Sequence, residues 1–218
     1  LLSHPEIPVP PARALPTLQK APLMGREPEL REVGACVARA VGGKGGARLF
    51  IGEPGLGRSR LLAESDARLG ASKQQVAWLP VHSRPEERQR PGAGVLRLLG
   101  AASGLSVDAP LGAVAQAVDR LRAFGLDEPS LEAIRDCAAA GDAGSGQRSI
   151  HLLNRAGVQC VSVLSYEQCT VVAWDDVQWC DDVSRQGLAQ LLEAVPQLAA
   201  AVLMTASPDL ESDWLANA

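Results

Sequence analysis

Aromatic side chains are scarce in this chain: two Phe, four Trp and one Tyr make up 3% of 218 residues. A core of normal density must then be filled by aliphatic residues and alanine, and the 46% hydrophobic fraction can supply them. Lysine is limited to Lys20, Lys44 and Lys73, so nearly all basic residues are arginine. The Ala-, Gly- and Arg-rich composition is that expected of a GC-rich bacterial genome. No apolar run approaches the roughly 18 residues of a membrane-spanning helix. The first residues lack the basic start and apolar stretch of a secretion signal, and a cytoplasmic location is expected. The cysteines (Cys36, Cys137, Cys160, Cys169, Cys180) include no C-x-x-C pair, and His4, His82 and His151 are scattered. That pattern speaks against a zinc cluster and for buried, reduced thiols. A net charge of −4 argues against bulk attraction to nucleic acid or anionic lipid.

What is present has a clear order. Pro5, Pro8, Pro10, Pro11, Pro16 and Pro22 make residues 1–22 read as an extended linker. Leu30, Val33, Val37 and Val41 then recur at helical spacing behind Pro28, and the glycines at 42, 43, 45 and 46 stop that helix. A short strand is expected at 47–51, a helix carrying Leu61, Leu62 and Leu69, and a second strand at 76–81. Residues 83–94, rich in Arg, Glu and Pro, read as a surface loop with a solvated charged face (Arg84, Glu86, Glu87, Arg88, Arg90). Helical segments follow at about 94–102, 111–124, 129–140 and 147–166, although the β-branched residues within 158–164 compete with the last of these. Thr170 to Trp174 is a nearly continuous apolar run, as in a parallel strand buried on both faces. A helix at 181–194 and a last strand at 200–204 complete an α/β domain: a mainly parallel sheet flanked by helices, with a helical insert. The core is expected over 23–210, with 211–218 as a short tail.

Two segments carry chemistry. Gly52-Glu53-Pro54-Gly55-Leu56-Gly57-Arg58-Ser59 has the G-x-x-x-x-G spacing followed by a cation and a serine, between an expected strand and an expected helix. Glycines there let backbone amides converge on phosphate oxygens, aided by the helix dipole. Ser59 would hold Mg²⁺ through its hydroxyl. The pattern calls for lysine at position 58, and this chain has arginine, which is longer, planar and forked. A plain glycine turn is the competing reading. The second segment is Val171-Val172-Ala173-Trp174-Asp175-Asp176, an apolar strand delivering two carboxylates. Asp175 would position Mg²⁺ and Asp176 would polarise an attacking water, against the alternative of an Asp-capped turn.

The run Asp175 to Ser184 resembles the acidic motif of bacterial signalling ATPases, in which two acids precede W-A-D-x-x-S; Trp179, Asp181 and Ser184 match. Leu23 to Leu30, with Gly25-Arg26-Glu27, is similar to the leading motif of that family. Gly52 to Leu61, including Arg60, resembles its phosphate loop apart from Arg58. Ala201 to Pro208 resembles its next strand and sensor turn, except that Ser207 replaces an arginine. The chain is thus similar to the origin-recognition-like AAA domain of the STAND signal-transduction ATPases, the class found in LuxR-type regulators and fused to kinases and nucleotide cyclases. The resemblance implies a three-layer P-loop NTPase fold and ATP or ADP with Mg²⁺ as cofactors. It implies a nucleotide site formed by Gly25 and Arg26 beside the adenine, residues 52–60 on the phosphates and Thr205 at the sensor turn. It also implies partner domains in a larger polypeptide (kinase, cyclase, DNA-binding or repeat) and no direct nucleic-acid or membrane contact by this segment. The lid that normally follows the last strand is not expected within the ten residues after Pro208.

Three functions fit these residues. One is a nucleotide-dependent switch with weak or absent hydrolysis, because one phosphate-contacting cation is altered, another is missing and two acids would face the nucleotide uncompensated. The others are an ATPase in which Arg58 takes the lysine role, and a nucleotide-free interaction scaffold.

Overall fold

The computed structural model describes residues 25–71, 76–140 and 146–210. The expected linker at 1–22 and tail at 211–218 lie outside the described residues. Four strands, β1 (Gly46–Ile51), β2 (Val76–His82), β3 (Cys169–Asp175) and β4 (Ala200–Ala206), form one all-parallel sheet in the order β1-β4-β3-β2. β3 and β4 are buried along their whole length, whereas the edge strands β1 and β2 are only partly covered. That is the reason for the continuous apolar sequence at 171–174: both faces of a central parallel strand need apolar side chains.

Among the described residues seven α-helices accompany the sheet: α1 (Glu27–Val41), α2 (Arg58–Ala71), α3 (Ala93–Ala102), α4 (Ala113–Leu121), α5 (Glu128–Ala139), α6 (Gln147–Glu167) and α7 (Asp182–Ala194). Alternation along β3 divides the core. Val171 and Ala173 pack with Val33, Val37 and Leu62 of α1 and α2. Val172 and Trp174 pack with Leu98, Val161, Leu188 and Leu191 of α3, α6 and α7. The result is three layers. The helical insert has a core of its own, built from Leu96, Leu99, Leu121, Leu131, Ile134 and Leu153. The β-branched stretch 158–164 is helical inside α6, where Cys160 and Val161 are fully buried. Packing on one face overrides its local propensity.

Residues 83–94 keep a solvated face at Pro85, Glu86, Arg88 and Gln89, but the rest of the segment is tied to the core. Ser83 is buried and accepts a hydrogen bond from the Trp174 indole at 2.9 Å. Glu87 grips the guanidinium of Arg97, which is itself buried and also donates to the Val107 carbonyl at 2.8 Å. Arg90 donates to the Ala138 carbonyl and Arg84 pairs with Asp108. A buried arginine must have a carboxylate partner, and this loop supplies it.

The cysteines are all buried and none forms a disulfide, as their lack of pairing motifs suggested. Burial pushes the Cys160 and Cys180 thiols up to about 12 and that of Cys169 to about 11.

Candidate phosphate-binding site

The sheet order places the glycine loop and the acids at the same end, separated by one strand. β1 runs into residues 52–57, β3 ends at Asp175, and β4 lies between them with Thr205 at its tip. In open parallel sheets this carboxyl end is where ligands bind. The loop is pinned to β4 by the Gly52 amide, which donates to the Ala206 carbonyl at 3.1 Å. Gly55 (φ 85°) and Gly57 (φ 76°) take left-handed backbone, which explains two of the loop glycines. A Cβ on Gly55 would meet nothing within 4 Å, so the loop's glycine character serves conformation and not close packing there.

Arg58, the first residue of α2, does not hang free. Its aliphatic stem lies over Gly52, and Nη2 donates to Asp176 Oδ1 at 3.1 Å. Asp176 Oδ1 also accepts from Gln178 Nε2 at 2.9 Å, and Gln178 Oε1 accepts from the Ser207 amide at 3.2 Å. The expectation of two uncompensated acids is therefore corrected: arginine reaches further than lysine, and it neutralises Asp176 directly. The side chains of the pair are 11% and 21% exposed. Arg58 Nη1 is buried without a hydrogen-bond partner.

Asp175 is held differently. Its Oδ1 accepts a short hydrogen bond from Thr205 Oγ1, and the same hydroxyl accepts from the Asp176 amide at 3.0 Å. Thr205 is fully buried, so it orients both acids from beneath. Asp176 has φ 56° and ψ 51°, the one non-glycine residue with positive φ among those described. Backbone strain of this kind is concentrated at functional sites.

Arg58, Asp176, Glu53 and Pro54 line a cleft of about 570 Å³ together with Gln178, Trp179, Ser207 and Asp209. The Asp209 carboxyl is held below its ordinary value by a hydrogen bond from Ser207 and by its own backbone amide, with the Arg58 and Arg88 charges adding to the effect. A second cleft, about 320 Å³, lies between α2 and the ends of β2 and β3 and contains Ser59, Asp66, His82 and Asp175. Ser59 and Asp175 thus share one cavity, while Arg58 and Asp176 share its neighbour. Arg26 pairs with Glu29 and donates to the Leu56 carbonyl at 2.6 Å, so the segment before α1 is tied to the crest of the loop. Gly25 beside it is left-handed (φ 72°). Leu56 is exposed on that crest, and Arg60 lies in the first turn of α2, partly buried.

These residues fit an anionic ligand with a divalent cation. The buried, unpartnered Nη1 of Arg58 wants an acceptor, the loop is open, and a hydroxyl and a carboxylate face one cavity. The AAA ATPase domain model matches residues 22–204 of the chain. This protein belongs to the AAA ATPase domain family. The fold agrees: a parallel sheet flanked by helices, with the phosphate loop after its first strand. The chain is also similar to an uncharacterized protein of Rhizobium meliloti (strain 1021), at 27% identity over 205 residues. That match covers 89% of this chain and 19% of the relative, so the chain spans about a fifth of the relative's length. No helix among the described residues is long and apolar enough to cross a membrane.

Two features of this AAA domain were not visible in its sequence. His82 closes β2 opposite Asp175 in the strand register, and its ring nitrogens lie 3.9 Å from Asp175 Oδ2 and 3.8 Å from Asp176 Oδ2. The usable signal was its position at the carboxyl end of a strand beside the acidic strand. Asp181 and Ser184, which match the signalling-ATPase motif, act at a distance from the phosphate loop. Asp181 caps α7 by accepting from the Ser184 amide, and it also accepts from the Gly92 amide at 2.7 Å. Ser184 Oγ accepts from the Gly94 amide at 2.8 Å. The motif therefore clamps α7 to the start of α3.

Proposed function

We propose that this AAA domain is the nucleotide-dependent regulatory module of a larger bacterial signalling or transcription-control protein, with weak or absent hydrolysis. The observation that carries the reading is the Arg58–Asp176 ion pair. Asp176 sits where a base would polarise the attacking water, and its Oδ1 is already occupied by the Arg58 guanidinium and the Gln178 amide. The same pair draws the cation of the loop away from where a terminal phosphate would need it. Ser207, at the position where the STAND pattern has arginine, offers no replacement charge.

In this reading the amides of residues 52–59 hold the phosphates, and Arg58, once released from Asp176, donates to them. Gly25 and Arg26 flank the adenine. Ser59 and Asp175 would hold Mg²⁺, which supplies charge neutralisation between phosphate oxygens when bound. The switch has two positions: Arg58 on Asp176, or Arg58 on phosphate. The relative is about five times as long as the matched stretch, which supports partner domains in the same polypeptide; the STAND resemblance implies that these are of kinase, cyclase, DNA-binding or repeat type.

The test is Mg²⁺-ATP affinity and turnover in the wild-type protein and in Arg58→Lys. Lysine is too short and too compact to hold Asp176 in the same way, so a gain of about fivefold or more in affinity or turnover is expected. Wild-type turnover of ~1 s⁻¹ or faster would overturn weak hydrolysis. A flat response to Arg58→Lys would favour an active enzyme using arginine, and no thermal shift with ATP or ADP would favour a scaffold.

A further inference from the structure

We propose that Arg88, in the segment after β2, is the residue by which this domain tells a nucleoside triphosphate from a diphosphate. Its guanidinium moves from the face of Trp179 onto the terminal phosphate. This role rests on the regulatory reading above and adds to it the cation that meets the far end of the ligand.

The cleft beside the glycine loop is short of positive charge. Glu53, Asp176 and Asp209 are the carboxylates in its lining, and Arg58 is the one cation among the described residues that line it. A terminal phosphate there would meet more negative charge than Arg58 alone can balance. Arg88 stands at the rim: its guanidinium carbon lies 5.9 Å from the ring centroid of Trp179, which lines the cleft. Its charge also reaches inside. The Asp209 carboxyl, held low first by hydrogen bonding from Ser207, feels both Arg58 and Arg88.

The backbone of Arg88 is fixed while its side chain is uncommitted. The Ser83 amide donates to the Asp175 carbonyl at 3.1 Å, so the segment leaves β2 laid against the acidic turn. Glu87 on Arg97 and Arg90 on the Ala138 carbonyl anchor both sides of position 88, and the Arg88 amide closes a turn onto the Pro85 carbonyl at 3.3 Å. Arg84 is taken by Asp108. Arg88 is exposed, and its guanidinium has no ion pair or hydrogen bond to a described residue. A cation over an exposed indole is weakly held, whereas phosphate offers it a charged, bidentate acceptor. A diphosphate on the loop amides lacks the group that Arg88 would reach, so only the triphosphate gains from it.

The experiment is calorimetric titration with Mg²⁺-ADP and with the Mg²⁺ complex of the β,γ-imido analogue of ATP. Arg88→Ala should weaken the analogue at least ~5-fold and ADP less than about twofold. Arg88→Lys keeps the charge and should stay within about threefold of wild type for the analogue. Arg84→Ala removes the same charge from the same segment, but one already paired, and should change either ligand less than about twofold. Retained ADP binding shows that each variant is folded, and a merely structural role for Arg88 would lower both ligands together. Equal losses for the two ligands in Arg88→Ala, no loss for the analogue, or an equal loss in Arg84→Ala would overturn the proposal. A wild type that binds neither ligand overturns the regulatory reading and this role with it. A wild type that binds both, with its preference intact in Arg88→Ala, overturns this role alone.

Discussion

Replacing Asp176 by asparagine separates the latch from a simple catalytic base, because it should move stability and nucleotide affinity in opposite directions. Asparagine keeps the shape and an acceptor for Arg58 and Gln178, and removes only the charge. At 3.1 Å the gross attraction of the pair is about 5 kcal/mol for an effective dielectric of 20. Desolvation of two mostly buried groups offsets much of that, leaving a net loss of roughly 1–3 kcal/mol on Asp176→Asn. The guanidinium, 11% exposed and with Nη1 already unpartnered, then has no counterion. For a domain of this size each kcal/mol lowers Tm by roughly 2–4 °C, so a loss near 2 kcal/mol means about 4–8 °C.

The same 2 kcal/mol no longer has to be overcome when phosphate takes Arg58. ATP affinity should therefore rise, by up to about 30-fold at 1.4 kcal/mol per decade. Differential scanning fluorimetry of the ligand-free protein and calorimetric titration with Mg²⁺-ATP measure the two arms. Asp209→Asn is the control for unspecific charge removal: Asp209 lines the same cleft, but its hydrogen bond is to Ser207 and Arg58 acts on it only through space. Its gain should be smaller by several-fold. An unchanged Tm together with unchanged or weaker ATP binding in Asp176→Asn would refute the latch. So would an equal gain in Asp209→Asn.

Two further predictions test the scaffold. Asp181→Ala removes the acceptor of the Gly92 and Ser184 amides and the partner of the Ser184 hydroxyl, all buried, and should cost about 2–4 kcal/mol in chemical denaturation; a loss under ~1 kcal/mol would contradict the clamp between α3 and α7. The Asp127 carboxyl, which caps α5 and accepts from Ser130 and Arg155, is held below its ordinary 3.8 by those bonds. A depressed folded-state value means the contribution is fully present above the unfolded value of 3.8 and is lost as pH falls from there through the folded value; the acid limb of the stability curve, measured from pH 6 to pH 2, should be shallower in Asp127→Asn.

Much of the architecture could be read from residue order because its elements announce themselves locally. The apolar run at 171–174 and the two acids after it are a buried strand and its polar end, whatever surrounds them. The stripe of Val114, Val118 and Leu121 similarly defines a helix face. Residues 83–94 were legible only in part: their charge pattern gives the solvated face, but not the anchors. Glu87 on Arg97 and Ser83 under Trp174 are defined only by tertiary packing.

The site divides along the same line. Position 58 was visible as a substitution, and its chemistry could be stated from the side chain alone. Its target could not: the acceptor lies 118 residues away and is reached because β4 spaces the glycine loop from β3 by one strand. His82 is the sharper case. As one of three scattered histidines its signal was confined to its place at the end of an expected strand, because spacing in sequence is informative only when the residues share a local element. Here they are joined by sheet register, His82 opposite Asp175. The register also orders the two chemistries at this sheet end. Arg58 approaches Asp176 Oδ1 and His82 approaches Asp176 Oδ2, so one carboxylate couples the loop cation to the β2 edge.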